Sequence, residues 1–298
     1  MTPAPALDGR AAGEHPTHLD ALLPAEMARR AEEVGAAKVA RDAPGTLVLA
    51  ILAGAFIALG GVFATTALSG TAGAPWGPVR VLAGLTFSLG LILVIVGGAE
   101  LFTGNALIVM AWASGRVSAL AVCRNWAIVF AGNALGGVGV AALVFAAGTH
   151  RSGGGAFGAT ALGIAQAKLR LDWGQAVALG VLCNVLVCLA VWLCYSARST
   201  ADRVLAVVFP ISAFVAAGFE HSVANLYFVP LGILIAALDP ALAHAAGVDP
   251  GGLTWLGFLV RNLVPVTLGN ALGGAGLVGV VYWFVYLRPA ARAGARVG

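Results

Sequence analysis

The chain has 298 residues, of which 60% are hydrophobic and 10% charged, with 41 glycines; an ordinary soluble domain carries roughly 25% charged residues. This composition excludes a water-soluble fold, and a formal charge of +4 with no basic arm or patch excludes a nucleic-acid-binding surface. The four cysteines, Cys123, Cys183, Cys188 and Cys194, lack paired spacing and lie in or beside apolar stretches, so they predict neither a disulfide framework nor a zinc site.

Residues 1–43 form a polar arm. Leu19, Leu22, Leu23 and Met27 recur at helical spacing among Glu26, Arg29, Arg30, Glu32 and Glu33, which predicts a short amphipathic surface helix. No apolar core follows a basic start, so the arm does not read as a signal peptide.

Six apolar segments follow: Thr46–Leu68, Val79–Ala113, Asn125–Ala147, Gly174–Tyr195, Val204–Leu238 and Leu256–Leu287. The second and fifth run to about 35 residues, where ~20 suffice to cross a bilayer. Both should therefore be broken. In hydrocarbon a break is tolerated only where the freed backbone is buried in protein or lines a water-filled cavity, so broken spans predict a permeation path.

An even number of crossings puts both termini on one side. That side collects twelve Lys and Arg residues against five on the other, which predicts cytoplasmic termini in a multi-pass inner (cytoplasmic) membrane protein.

The two halves of the chain repeat. Gly98-Ala99-Glu100-Leu101-Phe102-Thr103-Gly104-Asn105 matches Gly218-Phe219-Glu220-His221-Ser222-Val223-Ala224-Asn225 as G-x-E-x-x-x-x-N, and both fall in the over-long segments. Arg124-Asn125 and Gly132-Asn133-Ala134-Leu135-Gly136-Gly137 match Arg261-Asn262 and Gly269-Asn270-Ala271-Leu272-Gly273-Gly274 at the same separation. Three spans per repeat force opposite orientations, which is an inverted repeat with its binding site expected at the breaks near the midplane. The expected layout is an arm over 1–43, repeats over 44–148 and 174–288, an extracytoplasmic connection over 149–173 and a tail over 289–298.

Ionisable groups deep in apolar sequence are costly unless paired or hydrogen-bonded. The matched positions of Glu100 and Glu220 suggest carboxylates that hold the broken loops by accepting their backbone N–H groups. His221 faces Leu101 in the repeat alignment, so it breaks the symmetry at a site where a charge can change near neutral pH. Thr103 can donate a hydroxyl to an anion or to His221. Asn105 and Asn225 read as helix caps or as pore groups, whereas Asn133 and Asn270 read as inter-helix hydrogen-bonding residues. Lys168 reads as a solvated loop charge that can raise the local anion concentration at a pore mouth.

These motifs, together with Phe87-Ser88-Leu89-Gly90-Leu91, Cys183-Asn184-Val185-Leu186-Val187-Cys188 and Asn262-Leu263-Val264-Pro265, resemble the formate/nitrite transporter family over Pro44 to Arg288. The resemblance implies an all-α, aquaporin-like six-span bundle of two inverted three-helix repeats, assembled as a homopentamer with one pore per protomer for small monovalent anions. The substrate it implies is formate first, with nitrite or hydrosulfide as alternatives, carried with a proton and without a cofactor or metal. His221 resembles the family's central pore histidine and Thr103 its partner. Glu220, Asn225 and Lys168 match the polar pore positions, Phe87, Leu91 and Phe214 the apolar constrictions, and Leu101 the cytoplasmic gate.

An intramembrane enzyme would need a nucleophile–base pair or a metal cluster. The other histidines, His15, His18, His150 and His244, fall in arms and loops, and Ser222 adjoins His221 in poor geometry for a helical pair. A structural scaffold would not require paired helix breaks.

Overall fold

The computed structural model describes residues 21–288 and is all-helical there. Leu19 of the expected arm helix and the expected tail 289–298 lie outside the described residues. The arm helix α1 (Pro24–Ala40) is followed by α2 (Ala43–Leu68), α3 (Trp76–Gly97), a short α4 (Gly104–Ala113) and α5 (Ala119–Ala146). Next come α6 (Ala156–Leu169), α7 (Trp173–Ser196), α8 (Thr200–Ala217), α9 (Ser222–Leu238), α10 (Pro240–Ala245) and α11 (Trp255–Tyr286). Among the described residues six helices, α2, α3, α5, α7, α8 and α11, are long and apolar enough to cross a membrane.

Both over-long segments are indeed interrupted. Gly98 (φ 75°) ends α3 and Gly218 (φ 78°) ends α8, each in the left-handed conformation that only glycine adopts without a Cβ penalty. Each glycine sits in a Schellman turn, with Ala99 N–H bonding Val94 O at 3.0 Å and Phe219 N–H bonding Phe214 O at 2.9 Å. Helix resumes at Gly104 after the first break and at Ser222 after the second.

The spans approach closely because glycines face backbone. α2 packs on α3 and α5, α3 on α8, and α7 on α8 and α11, while α9 lies against α5 and α6. A Cβ on Gly84 of α3 would fall 2.7 Å from Ser212 Cα of α8, and one on Gly180 of α7 would fall 2.7 Å from Val266 O of α11. Small residues at crossings let helices gain dispersion contacts where lipid removes any hydrophobic drive between them. In α11 the turns widen to i→i+5 bonding over Phe258–Leu263 and Leu272–Val280, and such wide turns are frequent at functional sites.

Two expectations need correction. The arm helix is not a free surface helix, because Met27, Ala28, Ala31 and Gly35 are buried and the Gly35 Cβ position is 3.3 Å from Ala111 and Ile108 of α4. Nor is the connection 149–173 only a loop: it folds into α6, which lies against α9 and places Lys168 in its last turn.

Gly84→Leu should lower the melting temperature of the purified protein in detergent, since overpacking against fixed backbone costs about 1–3 kcal/mol or more. Gly163→Ala, where a Cβ meets nothing within 4 Å, is the control and should leave melting unchanged or slightly raised. Equal melting for Gly84→Leu and the parent would contradict the close α3–α8 contact.

Candidate functional site: two helix breaks meeting at Thr103 and His221

The two breaks are built with the same bonds. Asn133 of α5 accepts Phe102 N–H on Oδ1 at 2.9 Å and donates from Nδ2 to Ala50 O at 2.7 Å and Glu100 O at 2.9 Å. Asn270 of α11 accepts Ser222 N–H at 2.9 Å and donates to Gly180 O at 2.8 Å and Glu220 O at 2.9 Å. Glu100 N–H and Glu220 N–H reach the carbonyls of Leu49 and Leu179 at 3.2 and 3.3 Å. Both asparagines are fully buried, and each satisfies three peptide groups that no water could reach.

The glutamates were expected to hold these loops through backbone N–H groups, and they do not. Their side chains meet cations and amides instead. Glu220 takes Lys168 Nζ at 2.7 Å, Asn225 Nδ2 at 2.7 Å and Asn262 Nδ2 at 3.2 Å. Glu100 takes Lys38 Nζ at 2.8 Å, Arg41 at 2.9 Å and Asn105 Nδ2 at 2.8 Å. A buried carboxylate needs both a counter-charge and filled lone pairs, which backbone donors in this loop cannot supply together. Asn105 and Asn225 do not cap helices either: they bridge Glu100 to Asn125 Oδ1 at 3.0 Å and Glu220 to Asn262 Oδ1 at 2.7 Å. Lys168 is only 13% exposed, paired with Glu220 and 5.5 Å from the Phe228 ring centre, so it is not a solvated loop charge.

The cap of α9 is His221. Its Nδ1 accepts Ala224 N–H at 3.0 Å, and its Nε2 lies 2.9 Å from Thr103 Oγ1 in the other break. With the Nδ1 lone pair engaged, the neutral ring carries its hydrogen on Nε2, which donates to Thr103. The Thr103 O–H is then free to donate onward. The Thr103 carbonyl is held by Asn184 Nδ2 at 3.2 Å and by Cys188 Sγ at 3.4 Å, so the hydroxyl is delivered from a fixed backbone.

A cavity of about 280 Å³ opens on the Lys168 side, lined by Arg80, Lys168, Glu220, His221, Phe87 and Phe214 among others. Phe87 and Phe214 meet edge to face at 5.8 Å, and Phe214 stacks over His221 at 5.9 Å. On the other face a cavity of about 370 Å³ is lined by Lys38, Arg41, Glu100, Asn105 and Arg203. Leu91 and Leu101 are buried in the apolar core and line neither cavity.

Sequence reasoning missed Lys38 and Arg41, because their arm lies outside the matched segments. Lys38 precedes its glutamate by 62 residues and Lys168 by 52, so no fixed spacing links the two lysines. It also missed Arg80 and Phe228. The roles of Asn125 and Asn262 were in reach, since both stand in the matched motif.

Asn270→Ala should strip partners from three buried peptide groups at about 1–3 kcal/mol each. It should also speed hydrogen exchange at the Ser222 amide, as Asn133→Ala should at Phe102. Unchanged exchange at these amides would show that the asparagines do not anchor the breaks.

Residues 25–284 match the formate/nitrite transporter family. The formate channel FocA of Escherichia coli (strain K12) is 44% identical over 273 residues, covering 90% of this chain and 96% of that protein. A probable formate transporter of Methanothermobacter thermautotrophicus is 38% identical over 89% of this chain and 97% of its own length. Among solved structures, a pentameric formate channel with formate bound aligns with a TM-score of 0.77 at 43% identity, over 82% of this chain and 98% of its own. These relatives are channels and transporters rather than enzymes. The chain belongs to the formate/nitrite transporter family.

Proposed function

We propose that this protein conducts small monovalent anions, formate first, through a pore that runs between the two cavities past Thr103 and His221. The observation that carries this reading is the 2.9 Å contact between those side chains where two broken helices meet. The protomer works in a homopentamer, like the relative whose solved structure is pentameric with formate bound. The large apolar side chains that the protomer leaves exposed, among them Phe209, Leu120 and Leu256, face lipid or neighbouring subunits. The matched bonding of the two breaks supports two inverted repeats, 44–148 and 174–288, between the arm 1–43, the connection 149–173 and the tail 289–298, and the twelve-to-five bias of Lys and Arg supports both termini in the cytoplasm of an inner-membrane protein.

Phe87 and Phe214, with Leu91 behind them, form the apolar constriction, and Leu101 closes the opposite side. A bare anion pays a steep desolvation penalty there, whereas a neutral acid does not. Transfer of a proton from imidazolium Nε2 to a formate oxygen breaks one N–H bond and forms one O–H bond; it leaves formic acid and a neutral imidazole protonated on Nδ1, which regains the resting form by taking a proton on Nε2 and releasing the one on Nδ1. The imidazolium needs a proton on Nδ1, where the neutral ring accepts Ala224 N–H. Protonation of His221 therefore sets two donors against each other and loosens the first turn of α9. Glu220, Asn225 and Lys168 hold that turn to the loop. Nitrite is close to formate in size and also becomes neutral on protonation, so it is the second substrate reading, supported by the resemblance of Gly98–Gly104 to nitrite members.

His221→Asn keeps a side-chain acceptor for the Ala224 amide but cannot take up a proton. In proteoliposomes the assembled variant should take up formate with a flattened pH dependence and a lower rate at acidic pH. A rate and pH profile equal to those of the parent would sink the relay. Competition by nitrite and hydrosulfide in the same assay ranks the substrates.

A further inference from the structure

Among the described residues, the charged side chains that line the cavity on the Lys168 side are Arg80, Lys168 and Glu220. Lys168 and Glu220 stand 2.7 Å apart with 13% and 6% of their side chains exposed. At that distance their charges cancel for an anion approaching from the mouth, and the pair acts as a dipole whose field falls off quickly. Among the described residues Arg80 makes no salt bridge with a carboxylate; Glu220 acts on it only through space, while the Glu220 carboxylate is in direct contact with Lys168. Its guanidinium is half-buried at the start of α3, donating to Val215 O at 2.6 Å and Ala216 O at 3.3 Å in the last turn of α8. Carbonyls at a helix C-terminus carry only partial negative charge, roughly half an electron for the whole helix. The N-terminus of α9 offers the opposite partial charge in the same break, so the helix ends offset one another.

Resting on the anion-channel reading above, we propose that Arg80, not Lys168, supplies the net positive charge that draws the anion into this mouth. The same guanidinium clasps the end of α8 and so sets Phe214 against Phe87 of α3. The opposite cavity obeys the same rule: Lys38, Arg41 and Arg203 line it with Glu100, so cations outnumber carboxylates there too. Lys168 neutralises Glu220 and fixes the second break, and the surplus charge is carried by a residue outside the repeat motifs.

The test separates charge from clasp. Initial formate uptake at sub-saturating concentration is measured in proteoliposomes reconstituted with the Lys168 face outward, so that the anion enters by this mouth, while ionic strength is raised equally on both faces. Electrostatic capture weakens as the screening length falls from about 30 Å at 0.01 M salt to about 8 Å at 0.15 M. The parent and Arg80→Lys should both lose flux as salt rises. Arg80→Gln should start lower by roughly tenfold, the low end of electrostatic steering, and change little with salt. The double variant Lys168→Gln/Glu220→Gln removes both charges of the pair and should keep the parent's salt slope, whatever its absolute rate. A salt slope retained by Arg80→Gln, lost by Arg80→Lys, or lost by the double variant overturns the inference while the channel reading stands. Absence of formate flux in the parent overturns both.

Discussion

A helix interrupted inside hydrocarbon leaves peptide groups that water cannot reach, and the structure depends on how those groups are satisfied. Asn133 and Asn270 meet that requirement, each accepting one N–H of its break, donating to one carbonyl of it, and tying both to a carbonyl of a neighbouring span, Ala50 in α2 or Gly180 in α7. An amide side chain suits the task because it offers both polarities without a charge to desolvate. Once the breaks are anchored, the glutamates are released from backbone duty and can hold cations at the two mouths. The central residues then project into the space between two half-helices.

This division of labour explains why ionisable side chains survive in so apolar a protein. Glu100 and Glu220 are buried with counter-charges drawn from elements outside the spans, Lys38 from the arm helix and Lys168 from α6. Arg41 adds a second salt bridge at Glu100, whereas among the described residues Glu220 has one, to Lys168. The arm is thereby tied to the first break, and α6 to the second. Symmetry fails where the chemistry lies: Leu101 is aligned with His221 and Thr103 with Val223, so the Thr103–His221 contact joins residues that are not repeat equivalents. The two breaks share a bonding scheme, and they differ where Thr103 and His221 meet.

Much of the fold was legible in the sequence. Segment length against bilayer thickness placed both breaks, and the left-handed glycines Gly98 and Gly218 stand where the G-x-E motifs begin. The site was legible in part. His221 and Thr103 were found because one breaks the repeat and the other can hydrogen-bond to it. The loop-holding reading of Glu100 and Glu220 and the capping reading of Asn105 and Asn225 failed, because a spacing of five residues does not reveal whether a carboxylate turns back to its own loop or outward to a distant lysine. Arg80 escaped notice because an arginine near a span end is the commonest kind of membrane-protein charge.

Composition and segment length alone determined that this chain lives in a membrane, that it crosses six times and that two crossings are broken. Those properties follow from the solvent, which treats every residue by polarity and every span by thickness. Only the tertiary structure decided which charges are neutralised in pairs, which asparagines hold the backbone, and that Thr103 and His221 meet at 2.9 Å. Such contacts join residues 31 to 118 positions apart. They are set by helix packing through glycine against backbone, a geometry that local polarity does not encode.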